Sequence, residues 1–389
     1  MVEAVKEEAR LAWLALALTP GMGPTRTGRA MQRLRQASRL FSVSLTELEA
    51  AGMPAEAAQF VADGRARSAA MREHDATEKS GAQLLCPDDE AYSGNLLNIY
   101  DPPSILWVRG DISLLNRHGI AVVGTRQPSP YGSGMATVLS RDLANRGVVI
   151  MSGMARGVDT AAHRGAIEAG GKTVAVWGTG IDVVYPKENK KLAEDIVATG
   201  GAIVSEFPIG TFPAPQNFPI RNRTLSGMSV GVLVVEAAEY SGTRITARCA
   251  LEQGRDVYAV PGNVTNKNSW GPNTLIKQGA KLTATWEDIW EDLPSQARID
   301  LEDALASPEA KPETTASLFS DPTGTPLSEH ERLVLAELRQ DEALQLDDLI
   351  DRLHARVTSG EIFTALFELE LAGRVRQMPG KNYLRSFGL

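Results

Sequence analysis

Five short segments in the middle of the chain combine glycine with arginine, lysine or hydroxyl residues, the mixture that holds phosphate oxygens. They are Gly124-Thr125-Arg126; Ser152-Gly153-Met154-Ala155-Arg156-Gly157-Val158-Asp159; Gly178-Thr179-Gly180-Ile181-Asp182 running into Tyr185-Pro186-Lys187, with Lys190 just beyond; Phe218-Pro219-Ile220-Arg221-Asn222-Arg223; and Ser241-Gly242-Thr243-Arg244-Ile245-Thr246-Ala247. Glycine lets backbone N–H groups approach an anion closely, and arginine supplies forked donors matched to phosphate. Several such loops side by side suit a polyanion track better than one nucleotide. Taken singly, each residue also has a structural reading. Gly153, Gly157 and Gly178 fit tight turns, Arg156 can pair with Asp159, and Arg221 or Arg223 with Glu206 or Glu236. Asp159 and Asp182 stand at expected helix starts and read as caps rather than catalytic acids.

The elements that must position these loops alternate β-branched runs with helical segments, the pattern of a parallel sheet flanked by helices. Expected strands are Ile120–Gly124, Val148–Met151, Thr173–Trp177, Ala202–Ser205, Val230–Glu236 and Asp256–Val260, with Gln83–Cys86 and Ser104–Arg109 as edge candidates. Loops at the carboxyl ends of parallel strands, where helix amino termini begin, are the usual ligand sites of such sheets. No reaction is specified. Ala166–Thr173 imitates a Walker A loop but lacks the first glycine and runs from helix to strand, and Gly178-Thr179-Gly180 has Val183 where GxGxxG needs glycine. No GxSxG, kinase signature or two-metal carboxylate cluster occurs, so the chain is expected not to be an enzyme and to carry no cofactor.

Composition fits a globular protein, with 43% hydrophobic and 23% charged residues. The apolar run Leu11–Leu18 is too short to cross a membrane, and acids rather than bases precede it. Two cysteines, Cys86 and Cys249, make no CxxC pair, and the five histidines show no ligand spacing. A reducing cytoplasm and no metal site are expected. The net charge of -8 is unevenly spread: residues 287–325 carry ten acids and two bases, whereas residues 120–285 carry seventeen bases and twelve acids. The central part is therefore basic, and partner electrostatics follow the local charge.

Four units are expected. Residues 1–80 read as helices, with Pro20-Gly21-Met22-Gly23 leading into a helix that carries Arg26, Arg29, Arg33, Arg35 and Arg39. Residues 81–290 form the α/β unit, 291–326 an acidic flexible linker, and 327–389 three helices and a hairpin in winged-helix order. The third of these helices bears Glu361, Glu368 and Glu370, which repel phosphate and favour protein contact or an architectural role there.

With the loops assembled, the chain resembles the DNA-processing protein A (DprA, or Smf) family of bacterial transformation and recombination. The resemblance rests on the five segments above, on Gly254–Gly262 and on Asn273–Ala280. It implies an α/β, extended Rossmann-like domain flanked by an N-terminal SAM-like or helix–hairpin–helix domain and a C-terminal winged helix. It further implies a homodimer that binds single-stranded DNA and loads RecA on incoming strands, in competition with single-strand-binding protein. By position, Arg126 and Lys187 fall at the DNA phosphates and Arg221 and Arg223 line the same pocket; Gly124, Thr125 and Gly153 are placed with them as DNA-binding, and Arg156, Lys190 and Arg244 form a second tier. Leu275, Ile276 and Leu282 fall at the dimer contact. Thr243-Arg244 departs from the family's common Ser-Leu. An alternative reading is a nucleotide-processing enzyme like the phosphoribohydrolases of related architecture, although Pro261-Gly262-Asn263-Val264 diverges from their PGGxGTxxE signature.

Overall fold

The computed structural model describes residues 2–239, 241–306, 327–340, 342–354 and 356–386. Its centre is a nine-stranded sheet: β1 (Gln83–Leu85), β2 (Leu106–Gly110), β3 (Gly119–Val123), β4 (Val149–Ser152), β5 (Thr173–Trp177), β6 (Ala202–Ser205), β7 (Gly231–Val234), β8 (Asp256–Ala259) and β9 (Lys281–Leu282). The spatial order is β1-β2-β6-β5-β4-β3-β7-β8-β9. From β6 to β9 all pairs are parallel; β2 joins β6, and β1 joins β2, antiparallel. The strands β3 to β7 are buried along their whole length, which is why they read as unbroken apolar runs rather than alternating ones. The expected strands are all present. β9 was not expected, being two residues long.

The chain leaves β3, winds outward through β4, β5 and β6, then returns to the other side of β3 to make β7. That reversal is a topological switch point, where neighbouring crossovers diverge and leave a crevice beyond the carboxyl ends of the strands. One sheet face packs Ala121, Val123, Val174, Val176, Val204, Val232 and Val234 beneath the helices Asn217–Met228 and Thr243–Glu252. The opposite face packs Ile120, Val122 and Leu233 against the helices Pro130–Asn145 and Val158–Glu168.

The N-terminal helices are not a detached unit. Leu14, Leu16, Leu40 and Leu48 share one core with Trp107, Ala175, Trp177 and Ile203 of the sheet. Polar ties cross the same boundary: Arg10 to Asp89 at 2.7 Å, the Trp13 indole to Asp88, the Trp107 indole to Thr77 Oγ1, and the Ile209 N–H to Glu73. The basic helix stops at Leu34, so Arg35 and Arg39 lie beyond it; Arg35 is a left-handed C-cap at φ 64° and Arg39 falls in a 3-10 turn.

One further reading is corrected. The helix Ser295–Ala306 occupies the first part of the expected linker, with Ala297 and Leu301 buried and Leu301 in the core of the α/β unit. Its acids face outward and conceal a short apolar stripe from composition alone. The rest of that linker, 307–326, lies outside the described residues. Beyond it, Glu329–Glu337, Leu346–Leu353 and Ser359–Leu371 pack around Val334, Leu349, Ile362 and Leu369, beside a three-stranded sheet whose hairpin is Val375–Met378 and Asn382–Arg385. Among the described residues, no helix is long and apolar enough to cross a membrane.

Candidate nucleic-acid interface

At the switch point the loops after β3, β4 and β7 wall a cleft of about 480 Å³, lined by Gly124, Thr125, Arg126, Gly153, Arg156 and Arg221 and closed on one side by Ser241, Gly242 and Thr243. Close backbone approach fixes several of these as glycine. A Cβ on Gly124 would lie 2.5 Å from Val158 Cγ2, and one on Gly153 would lie 1.7 Å from Arg221 Nη1. Gly153 thus leaves the space in which the Arg221 guanidinium rests.

Three carboxylates hold the loops, and none caps a helix. Asp159, buried near the start of its helix, accepts from the Gly153 and Ala155 N–H groups at 3.1 Å each. Burial raises its pKa, opposed by the Arg221 charge and those two bonds. Between the two bonded N–H groups, Met154 sits at φ 64°, a left-handed conformation costly for a side-chain residue; Asn189 Nδ2 secures it by donating to Met154 O at 2.9 Å. Asp182 accepts from Gly210 N–H at 2.8 Å. Glu236, buried just past β7, accepts from the Ser129 N–H at 2.8 Å and from its hydroxyl, while its own carbonyl takes the Thr125 N–H at 2.6 Å. Glu236 and Asn189 were missed as loop-holders. An acid closing an otherwise apolar strand was the available signal for Glu236.

The basic side chains separate into groups. Arg126 is exposed, makes no ion pair with any described residue, and lies over the Phe218 ring at 5.5 Å. Arg221 is 5% exposed; Nη1 donates to Val176 O at 2.9 Å, and Nε is buried without a hydrogen-bond partner among the described residues. Burial lowers its pKa, Asp159 raises it, and Arg126 lowers it further. Behind it, burial and then the Arg221 charge push His163 down to about 3. Lys187 and Lys190 are exposed on the segment that follows Pro186 and form no ion pair with a described residue.

The other arginines are engaged. Arg223, two residues beyond Arg221, points away from the cleft and holds Asp101 and Glu206, each at 2.9 Å. Its expected place in the same pocket is therefore corrected: two helical residues span about 200° of arc, so the pair faces opposite ways. Of its two alternatives the Glu206 partnership holds, whereas Glu236 is taken up by Ser129. Arg156 pairs with Glu188, not Asp159. Arg244 donates to Glu239 O at 3.0 Å and lies 5.7 Å from the Trp270 ring. At the far edge of the sheet, Leu275 and Ile276 are half-buried on the helix Trp270–Lys277, and Leu282 is 47% exposed on the terminal strand β9. His74, Asp75 and Glu78 come together on the helix Arg65–Lys79, two of the three exposed, and nothing else there points to an ion.

An open Rossmann-like sheet with a glycine-lined cationic cleft at its switch point defines an anion-binding α/β protein. The family model described as DNA recombination-mediator protein A matches residues 83–294, and that of the DprA winged helix domain matches 320–381. The chain belongs to this DprA/Smf family. Protein Smf of Escherichia coli is 41% identical over 79% of this chain and 78% of its own; Protein Smf of Synechocystis is 31% identical over 96% and 98%. The X-ray structure of DprA from Streptococcus pneumoniae superposes with a TM-score of 0.62 at 32% identity, covering 74% of this chain and 98% of that one.

Proposed function

We propose that the cleft holds single-stranded DNA by its phosphates and presents it to the recombinase RecA, in natural transformation, recombinational repair or both. The observation that carries this reading is the pairing of an exposed Arg126, without an ion pair among the described residues, with a buried Arg221 whose Nε lacks a hydrogen-bond partner among them, at a glycine-lined switch-point cleft. A buried cation that lines an open cleft with an unused donor is completed by an anion. Lys187 and Lys190 extend the cationic ground beyond Pro186, and the phosphates of a flexible strand follow such a line. The role is delivery rather than catalysis. Asp159, the acid that lines the cleft among the described residues, is taken up by backbone N–H groups.

On this reading, single-strand-binding protein is a competitor, and two copies join through Leu275, Ile276 and Leu282 at the open edge of β9. An exposed leucine on a terminal strand supports that contact, since an unpaired edge is a ready template for another chain.

Salt-dependent binding of oligothymidylate tests the phosphate track. Each phosphate contact on a single strand adds about 0.7 to the log–log salt slope. Arg126→Ala and Lys187→Ala should each weaken binding and flatten the slope by about that amount. Unchanged affinity and slope in both single variants and in the double variant would overturn the reading.

A further inference from the structure

One basic region of the protein is not used by the cleft. Between Leu18 and Glu47 the chain carries Arg26, Arg29, Arg33, Arg35 and Arg39 and not a single acid. The helix Pro24–Leu34 sorts that stretch by face. Thr27, Ala30, Met31 and Leu34 are buried, while Arg26, Arg29 and Arg33 are exposed at i, i+3 and i+7. Residues at that spacing make one outer stripe, rising about 10 Å along the axis.

Little inside the protein answers these charges. Arg26 Nη1 donates to Gly21 O at 2.7 Å, across the turn before the helix, and Arg33 Nη1 to Ala50 O at 3.2 Å. A carbonyl orients a guanidinium but leaves its charge uncompensated. Arg29 and Arg35 are exposed, and their side chains make no hydrogen bond or ion pair with a described residue. Arg39 is the exception, 3.8 Å from Glu47. Arg35 also stands on a groove of about 820 Å³ that runs between this helix and Pro87, Leu97 and Pro102 of the α/β unit. The acid on that groove, Asp88, is taken by the Trp13 indole N–H at 2.8 Å.

Two glycines support an outside partner for this face. Gly28 sits inside the helix, where glycine is less favourable than alanine, and Gly23 precedes the helix at an ordinary φ of −104°. A Cβ on either would meet no atom within 4 Å. Neither packing nor turn geometry within the fold asks for glycine there; what it leaves is bare backbone at the surface, open to close approach. The helix also starts without a side-chain cap, so no side chain answers its positive dipole end. We propose that this arginine face is a second site for the sugar–phosphate backbone of DNA, apart from the switch-point cleft. The N-terminal helices share a core with the sheet, so both surfaces belong to one packed body at a set separation. A DNA molecule long enough to reach both makes the second contact as an intramolecular step and gains affinity from it.

The test follows DNA binding of the full chain by fluorescence anisotropy across a range of salt. Three probes are compared: a short oligothymidylate that fills the cleft alone, a long oligothymidylate, and a blunt duplex. Each phosphate contact adds about 0.7 to the log–log salt slope on a single strand and about 0.9 on a duplex. The double variant Arg29→Ala, Arg35→Ala removes two side chains without a described partner, so it should melt like the wild type and bind the short strand as before. Its slope should flatten by about 1.4 on the long strand or by about 1.8 on the duplex, and the probe affected identifies the form of DNA that the surface takes. Arg29→Lys with Arg35→Lys should keep the wild-type slope, because a phosphate site needs the charge. Unchanged affinity and slope on both the long strand and the duplex would overturn the proposal, as would an equal loss on all three probes. The short strand and Arg126→Ala report on the cleft, so the two readings fail separately.

Discussion

Arg221 and Arg223 share one helix and one short motif, yet they occupy opposite electrostatic worlds. Arg223 lies between Asp101 and Glu206, with every charge answered inside the protein. Arg221 is more deeply buried, faces an open cleft, and has an Nε with no hydrogen-bond partner among the described residues. The difference shows how to tell a structural cation from a binding one. The first is ion-paired by two carboxylates; the second feels the Asp159 charge without an ion pair and is held by a carbonyl, a ring and the space left by a glycine.

The comparison breaks most visibly through stability. Removing Arg223 leaves Glu206, whose acid is already pushed up by burial, without its counter-charge, and breaking a buried pair costs about 3–5 kcal/mol. Urea denaturation of Arg223→Ala should show a loss of that size, and much of it should return in a double variant that also carries Glu206→Gln. Arg126→Ala, by contrast, should move stability by less than about 0.5 kcal/mol.

Next in size is a pH effect on the Arg221 side. The Thr173 hydroxyl gives its proton to Ile150 O, so His163 Nδ1 donates to Thr173, and Nε2 is buried without a partner among the described residues. The folded protein thus binds the proton only near pH 3, whereas the unfolded chain takes it up near 6.5. A depressed folded pKa means stability that is intact above the unfolded value and lost as pH falls toward the folded one. Between these limits the contribution falls by about 1.4 kcal/mol per pH unit. His163→Leu should flatten that part of the stability profile; an identical acid limb in both proteins would count against the assignment.

A further effect, on the Arg221 side, sharpens the contrast most. Gly153→Ala should cost about 1–3 kcal/mol through overpacking and weaken oligothymidylate binding by displacing the Arg221 guanidinium, while leaving the Arg223 cluster untouched. Thermal melts and anisotropy on the same variant separate the two consequences.

Much of this architecture was legible because parallel strands buried on both faces carry an unmistakable signal. Thr173–Trp177 and Ala202–Ser205 emerge from sequence with the bounds they have in the fold. The carboxyl-end loops follow from that topology, and the motif resemblance gathers them into one edge. What sequence did not reveal was direction and partnership. Asp101 lies 122 residues from Arg223, and Glu188 lies 32 from Arg156, so no local pattern shows that these arginines are engaged. The helix Ser295–Ala306 escaped notice for a related reason: its acidic composition spoke for the exposed side and hid Ala297 and Leu301. Asp159 and Asp182 were placed correctly in their loops but read as helix caps, because a cap and a loop tie use the same residue type and differ only in which N–H groups they meet.

Asp159, Asp182 and Glu236 have one more consequence. Asp159 ties its own loop together, and Glu236 and Asp182 each fasten one loop to another, so conformational entropy is removed from the protein when it folds, before any strand arrives. The ordering that accompanies binding then falls on the DNA, a chain with far more freedom to lose than these loops retain. Affinity should accordingly vary with the stiffness of the strand, weaker for a well-stacked oligodeoxyadenylate than for a flexible oligothymidylate where unstacking must come first. The heat-capacity change on binding should be modest, as befits a surface that meets its ligand already set.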